Sequence, residues 1–328
     1  MRQSLTGRIS LVLLAVVAAA MAYPWHTPRE RWALGIAIAA VLLLLAWWRG
    51  MFFTTMLRHR LAMLRRNHMR APAARPGIDV RTTALLRITN PPEGEPDLLP
   101  LPLIARYLDR YGIRADAVRV TSRETEDDNG MPQRDTWIGL TLSAADNLVA
   151  LQARSSSIPL HKTAAVAVRR LADHLREIGW AAGPVEPDDV PTLFARPARE
   201  TWRGVKEASG DYVAAYRVNA DETLLDTLAV IRSYPARETW TALEIAGAAG
   251  DQTLAVACAF RTNAHPAGGA PISGLTPQSG NHRPALVALD PTSTERLDGH
   301  AALPDGLLGQ LRWPSTAARQ SRPRHAAV

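Results

Sequence analysis

Two uncharged apolar runs, residues 9–23 and 32–48, constrain this chain more than any other feature of its sequence. The first has 15 residues and extends to about 20 by taking in Leu5, Thr6 and Trp25 across Arg8, whose guanidinium can snorkel to an interface. The second has 17 residues. As a helix it covers about 25 Å, slightly less than a hydrocarbon core. Trp25 and Trp32 at one end, and Trp47 and Trp48 at the other, supply two aromatic belts. Pro24 and Pro28 interrupt the eight-residue connection. The pattern predicts a two-helix transmembrane hairpin within residues 1–50, with spans at about 5–25 and 32–48. Ala15 with Ala19, and Gly35 with Ala39, fall at the spacing that lets two such helices approach. Arg2, Arg8 and Ala20-Met21-Ala22 also fit the outline of a cleavable signal peptide. The second span, following so soon and needing a partner helix, favours retention.

The arginines orient the hairpin. Arg2 and Arg8 precede the first span, and Arg49, Arg58, Arg60, Arg65 and Arg66 follow the second, whereas the loop holds Arg29, Glu30 and Arg31. Positive charge stays inside, so both termini are expected in the cytoplasm and the large domain with them, at the cytoplasmic (inner) membrane. A single cysteine, Cys258, excludes a disulfide framework and a multi-thiolate zinc site.

The formal net charge of +7 first suggests nucleic acid. Its distribution excludes that class. Residues 1–78 carry eleven arginines against Glu30 alone, for a net of +10, and residues 79–311 come to −7. A phosphate-binding domain concentrates its cations on the folded part. Residues 51–78 instead form a basic collar. Phe53, Met56, Leu57, Leu61 and Leu64 recur at helical spacing among Arg58, His59, Arg65 and Arg66, which predicts an amphipathic helix ending before Pro72. It suits either an anionic lipid surface or the docking of neighbouring subunits. Residues 314–328 read as a basic disordered tail.

Residues 79–313 are expected to form a mixed α/β domain of two similar lobes, although no repeat is evident in the sequence. Strands are predicted at 80–88, 115–121, 136–142, 212–218, 239–245 and 253–261, with Val118 and Val120 on one face. Helices are predicted at 101–111, 144–153, 162–178 (stopped by Gly179) and 221–233 (opened by Asp221 and ended by Pro235). Residues 185–192 read as an exposed connector and 262–283 as a long surface loop.

Motifs that carry chemistry are sparse. The sequence has no P-loop, no H-E-x-x-H and no G-x-S-x-G. His265, His282 and His300 read as solvated loop residues, and Cys258 as a small hydrophobe in a strand. The alternative enzymatic reading is a membrane-tethered glycosyltransferase with a divalent cation held near Asp127 and Asp128, beside Glu126. Glu126-Asp127-Asp128-Asn129-Gly130 is equally the composition of an exposed turn, and Asp188-Asp189 has the same ambiguity.

The order of several segments resembles a known family. Trp48-Arg49-Gly50 ends the hairpin, the basic stretch 58–66 follows, and Leu101-Pro102-Leu103-Ile104-Ala105-Arg106-Tyr107-Leu108-Asp109 leads to Ile113-Arg114. Further on come Val168-Arg169-Arg170-Leu171-Ala172, the strand at 212–218, Tyr234-Pro235-Ala236-Arg237 and Gly274-Leu275-Thr276-Pro277. In this order they resemble EccE, a membrane subunit of the type VII (ESX) secretion machinery of mycobacteria and related actinobacteria. The likeness runs from the first span to about Leu311; the loop 124–134 and the carboxyl tail take no part in it. It implies a structural subunit that is no enzyme, with no catalytic, cofactor-binding or metal residues. Its implied partners are the channel subunits EccB, the ATPase EccC and EccD, with a mycosin protease as a further candidate, and the lipid bilayer. ATP hydrolysis would belong to EccC, in agreement with the missing P-loop.

Overall fold

The computed structural model describes residues 47–48, 51–68, 81–92, 97–126, 130–195, 197–248 and 250–315. The chain divides into two units, residues 1–70 and 71–328. Both expected spans lie outside the described residues except at Trp47 and Trp48. These two form a strand, β1 (Trp47–Trp48), that pairs with β2 (Met51–Phe52). The apolar run therefore ends as extended chain rather than helix, in keeping with the β preference of paired tryptophans beside Gly50. Among the described residues no helix is long and apolar enough to cross a membrane. The predicted amphipathic helix is present as α1 (Phe53–His68), and Leu57, Leu61 and Leu64 are exposed on it.

The second unit is built on one antiparallel sheet. In chain order its elements are β3 (Arg81–Asn90), α2 (Leu101–Ala105), β4 (Asp109–Arg110), β5 (Ile113–Glu126), β6 (Pro132–Ser143), α3 (Leu148–Arg154), α4 (Leu160–Glu177), β7 (Ala181–Val185), β8 (Ala198–Thr201), β9 (Gly204–Glu207) and β10 (Tyr212–Val218). There follow α5 (Leu224–Ser233), β11 (Glu238–Ala246), β12 (Thr253–Thr262), β13 (Leu275–Pro277), α6 (His282–Leu289), β14 (Ala301–Ala302) and α7 (Leu307–Gln310). The main strand order is β7-β3-β6-β5-β11-β12-β10-β9-β8, with β13 also paired to β10.

That order contains the two lobes. In the first, β3, β5, β6 and β7 are consecutive strands lying in spatial order fourth, first, third, second, with helices on both crossovers. This is a split β-α-β arrangement. In the second, β10, α5, β11, β12 and β13 repeat the order, except that the last crossover carries no helix. The fourth-strand slot is shared, β13 pairing with Tyr216–Val218 and β9 with Tyr212 and Val213 of the same strand. The lobes join through their second strands, β5 and β11, in a ladder from Glu238↔Thr125 to Ala246↔Ala117.

Strand alternation divides the core between two faces. Leu86, Val118, Val120, Ile138, Leu243 and Val256 meet α2, α4 and α5 on one face. Leu85, Trp137, Val213, Trp240, Ala255 and Ala259 meet α6 and the segments around Leu193 and Leu297 on the other. The α4 stripe of Val168, Leu171 and Leu175 is buried as its spacing predicts. Gly179 stops that helix with φ 89°; its N–H bonds to the carbonyl of Arg176 and that of Trp180 to the carbonyl of Leu175. This is the Schellman pattern, for which a left-handed residue is needed.

Several boundaries differ from expectation. The helix expected at 101–111 ends at Ala105 and passes through a 3-10 turn at 106–108. Tyr111 and Gly112 have φ 57° and 68° and close the two-residue hairpin between β4 and β5. A type I′ turn needs positive φ at both positions, so this turn chemistry overrides the helical periodicity. The helix expected from Ala144 begins at Leu148, because the buried Asn147 side chain is committed to the backbone of Arg114 on β5 and to the Ser143 carbonyl. Asp221 does not cap α5 directly; it accepts from the N–H and hydroxyl of Thr223, the residue just before the helix begins. Residues 262–283, expected as loop throughout, contain β13 and the start of α6.

Candidate functional site

The seam between the lobes holds the most buried charges of the described residues. Arg119 on β5 and Glu244 on β11 face each other in register, with side chains 5% and 0% exposed, at 2.5 Å. The guanidinium also donates to the carbonyls of Asp290, Ser293 and Glu295. The other Glu244 oxygen accepts the Leu297 N–H and lies 2.9 Å from Nε2 of His300, whose Nδ1 lies 3.0 Å from the Thr253 hydroxyl. Burial alone would raise the Glu244 pKa; the His300 hydrogen bond and the Arg119 guanidinium outweigh it and hold the carboxyl below its ordinary value. The arrangement pins the segment 290–300 across the seam.

A second set of charges crosses the same face. Arg87, Asp135, Arg123, Glu238, Arg261 and Glu207 alternate in sign across β3, β6, β5, β11, β12 and β9, each paired with the next. Arg261 donates to the Leu193 carbonyl and Glu207 accepts the Ala195 N–H, so the row also fixes the chain at 193–195. Beneath it Trp137 and Trp240 stack at 5.7 Å, with the Arg123 guanidinium 5.8 Å from the Trp240 ring. The charged groups of this row are paired with one another and with backbone, as in a structural network, whereas the buried indole N–H groups of Trp137 and Trp240 have no hydrogen-bond partner among the described residues.

The residues singled out from the sequence are dispersed. Glu126 is exposed at the end of β5, and Asp127 and Asp128 lie outside the described residues. Asp188 and Asp189 are exposed in a 3-10 turn. Among the described residues no three acids, histidines or cysteines form a group that could hold a metal ion. Cys258 is buried, and burial pushes its thiol pKa up, which disfavours the thiolate.

Two of the three histidines depart from the solvated expectation. His265 is exposed beside Tyr212, but His300 is in the seam network and His282 is 1% exposed at the start of α6. His282 Nδ1 accepts the Ala215 N–H at 3.1 Å, and burial brings its pKa down to about 4. The sequence does contain a signal for the seam: a lone Arg and a lone Glu inside two apolar strands point to buried partners. Nothing comparable marks the histidines, whose burial is decided by long-range packing.

Several clefts open among the described residues of the second unit, and two of them border α2 and α4. One of about 740 Å³ lies between α2 and the segments at 250–252 and 302–309, with Arg106, Asp109, Asp251 and Asp305 exposed around it. The other, of about 360 Å³, lies between the β4–β5 turn and the helices α3 and α4, and the charged residues lining it are all basic: Arg110, Arg154, Lys162 and Arg170. The geometry thus offers surfaces for binding, while its buried polar groups serve the fold.

Comparison with known proteins agrees with that character. The profile of the family described as "Putative type VII ESX secretion system translocon, EccE" matches residues 131–218, from β6 through β10. The chain is 57% identical over 319 residues to the ESX-3 secretion system protein EccE3 of Mycobacterium tuberculosis strain CDC 1551, covering 96% of this chain and 94% of the relative. For the same-named protein of strain H37Rv the identity is 56% over the same coverage. For that of Mycolicibacterium smegmatis it is 51% over 297 residues, 90% of this chain and 91% of the relative. With identity above one half over at least 90% of its length, the chain belongs to the EccE family.

Proposed function

We propose that this chain is a non-catalytic structural subunit of a type VII secretion membrane complex of the ESX-3 kind, where it supports assembly of the export machinery. The observation that carries the reading is the similarity to ESX-3 proteins across 96% of the chain, which takes in the apolar amino-terminal segment as well as the domain. A fold whose buried charges are spent on its own seam and whose thiol is buried supports the absence of chemistry. Nothing in the fold or the family favours the transferase alternative at Asp127 and Asp128.

In this reading residues 1–50 form the two-span anchor with both termini in the cytoplasm, and residues 51–78 the basic collar and linker. Residues 79–313 are the cytoplasmic domain and 314–328 a basic tail, whose first two residues, Pro314 and Ser315, are held to the domain by Arg134 and Asp97. The exposed Leu57, Leu61 and Leu64 of α1, among Arg58, Arg60 and Arg65, suit an interface with the bilayer or with neighbouring subunits. The proposed partners are EccB, the EccC ATPase and EccD, with a mycosin protease as a further candidate. Mild detergent extraction of the tagged full-length chain should bring EccB, EccC and EccD with it in fixed proportion. Recovery of the chain alone, under conditions where the other three remain together, would overturn the proposal.

A further inference from the structure

The 360 Å³ cleft departs in charge and backbone geometry from the domain that carries it. Residues 79–311 have a net charge of −7, yet the cleft is lined by four cations and no acid. Among the described residues none of the four is engaged in an ion pair; Arg154 donates to the Ala150 carbonyl one turn back on its own helix, and Arg110 Nη1 lies 3.4 Å from His174 Nδ1. The exposed ring of Tyr111 stands between two of them, with the Arg110 guanidinium 5.1 Å and that of Arg170 4.7 Å from its centroid. Val166, 44% exposed on α4, and Pro159 add an apolar wall. Cations held over an aromatic ring keep their charge while resting on apolar surface, which prepares them to meet an anion beside an apolar side chain.

The backbone singles out the same place. Among the described residues Tyr111 and Ile158 are the two non-glycine residues with left-handed φ, 57° and 49°. A β-branched residue there is a conformational outlier. Tyr111 lines the cleft, and Ile158 lies between Ser157 and Pro159, which line it too. Strained backbone gathers where a binding surface is held in shape.

We propose that this cleft is the docking site for an acidic peptide segment of another protein, carboxylates meeting Arg110, Lys162 and Arg170 and an apolar side chain lying against Tyr111 and Val166. The chain's own ends cannot fill it on grounds of charge: residues 1–78 carry +10, and residues 312–328 contain four arginines and no acid. A bilayer is excluded by shape, since a flat anionic surface meets a flat or convex basic face, whereas these cations line a concavity with apolar walls. The acidic remainder of the domain repels a carboxylate-rich segment everywhere else and so favours this one entry. The inference deepens the reading of the chain as a subunit, because it names the kind of partner segment that one surface takes.

The test is direct binding to the full-length chain in neutral detergent. The probe is a fluorescein-labelled Glu-Asp-Phe-Glu-Asp-Leu peptide, with its Gln-Asn-Phe-Gln-Asn-Leu counterpart as control, followed by anisotropy. The acidic probe should bind at low ionic strength and the neutral one should not. Lys162→Gln with Arg170→Gln, two exposed changes on one helix, should weaken binding at least about tenfold. Lys162→Arg with Arg170→Lys should largely restore it, and salt should weaken it as charges become screened over about 10 Å at 0.1 M. Absence of binding, or equal binding by the Gln variant, overturns the proposal. Displacement of the probe by phosphatidylglycerol added to the micelles, but not by phosphatidylcholine, overturns it in favour of lipid. Concentration-dependent dimerisation lost in the Gln variant overturns it in favour of a second copy. None of these results bears on whether the native chain copurifies with ESX subunits, so the two proposals fail separately.

Discussion

Arg119 and Glu244 show how single residues join the two halves of this domain. A carboxylate and a guanidinium, each nearly out of water, are tolerable because they are met by each other, by His300, by the Leu297 N–H and by three carbonyls. Removing one partner leaves the other charged and buried. Glu244→Ala is therefore expected to lower unfolding free energy by about 3–5 kcal/mol, measured by urea denaturation, whereas Glu126→Ala at the exposed strand end should stay within about 0.5 kcal/mol. Because the Glu244 pKa is depressed in the fold, its contribution is complete above the ordinary carboxylate range and is lost as pH falls through the folded value. His282 adds a second acid sensitivity. Its ring must be neutral to accept the Ala215 N–H, and its pKa falls from 6.5 to about 4. The unfolded chain then takes up the proton first, so stability is full above pH 6.5 and declines towards about pH 4, by at most about 3 kcal/mol. His282→Gln, which keeps an acceptor and loses the charge, should flatten that part of the stability–pH curve. An unchanged slope in the variant would show that His282 is not the titrating group.

At the level of elements, the long strands and helices were legible in the sequence and the short ones were not. The strand expected at 212–218 is β10 to the residue, and the helix expected at 162–178 is α4 within two residues at either end. α4 buries a regular stripe, which periodicity records, and β10 is a short run buried on both faces. The hairpin of β8 and β9 has four residues in each strand at the edge of the sheet, too few to display a period, and β13 has three. Their strand character comes from pairing partners far away in sequence. The end of the chain behaves likewise. Trp313 is 3% exposed; its carbonyl accepts the Leu99 N–H and its indole donates to Ser122 at 2.9 Å. Asp97 accepts from both the N–H and the hydroxyl of Ser315. A chain ending at Ser315 keeps all of these contacts, whereas one ending at Leu311 loses them. The shorter chain, like Trp313→Ala, is expected to lose about 3–5 kcal/mol, read as a fall in melting temperature relative to the longer one.

For the whole molecule, the sequence carried the two-lobed plan as a succession of strand and helix patterns, and it carried the family through the order of its segments. It marked Arg119 and Glu244 as charges inside apolar strands but not that they face each other, since the pairing of β5 with β11 joins residues more than a hundred positions apart. Nor could it reveal the cationic cleft, whose four basic residues are scattered over sixty positions of an otherwise acidic domain. We propose that assembly contacts lie in the amino-terminal hairpin and collar, and this is open to a direct trial. If residues 1–48 only anchored the chain, any two-span hairpin of the same orientation would serve. Their small residues at close-approach spacing, and a following α1 that exposes Leu57, Leu61 and Leu64 among arginines, suit contact with other subunits better. Replacing residues 1–48 with an unrelated hairpin should keep the protein in the membrane and weaken or abolish copurification of EccB, EccC and EccD. Orientation is checked on the same proteins with an impermeant thiol reagent in intact cells, where the buried Cys258 contributes little background. A cysteine placed at His26 should be labelled and one at the exposed Asn263 spared. If labelling follows that pattern and the swapped chain still assembles as well as the native one, the contacts that build the complex lie in the two-lobed domain instead.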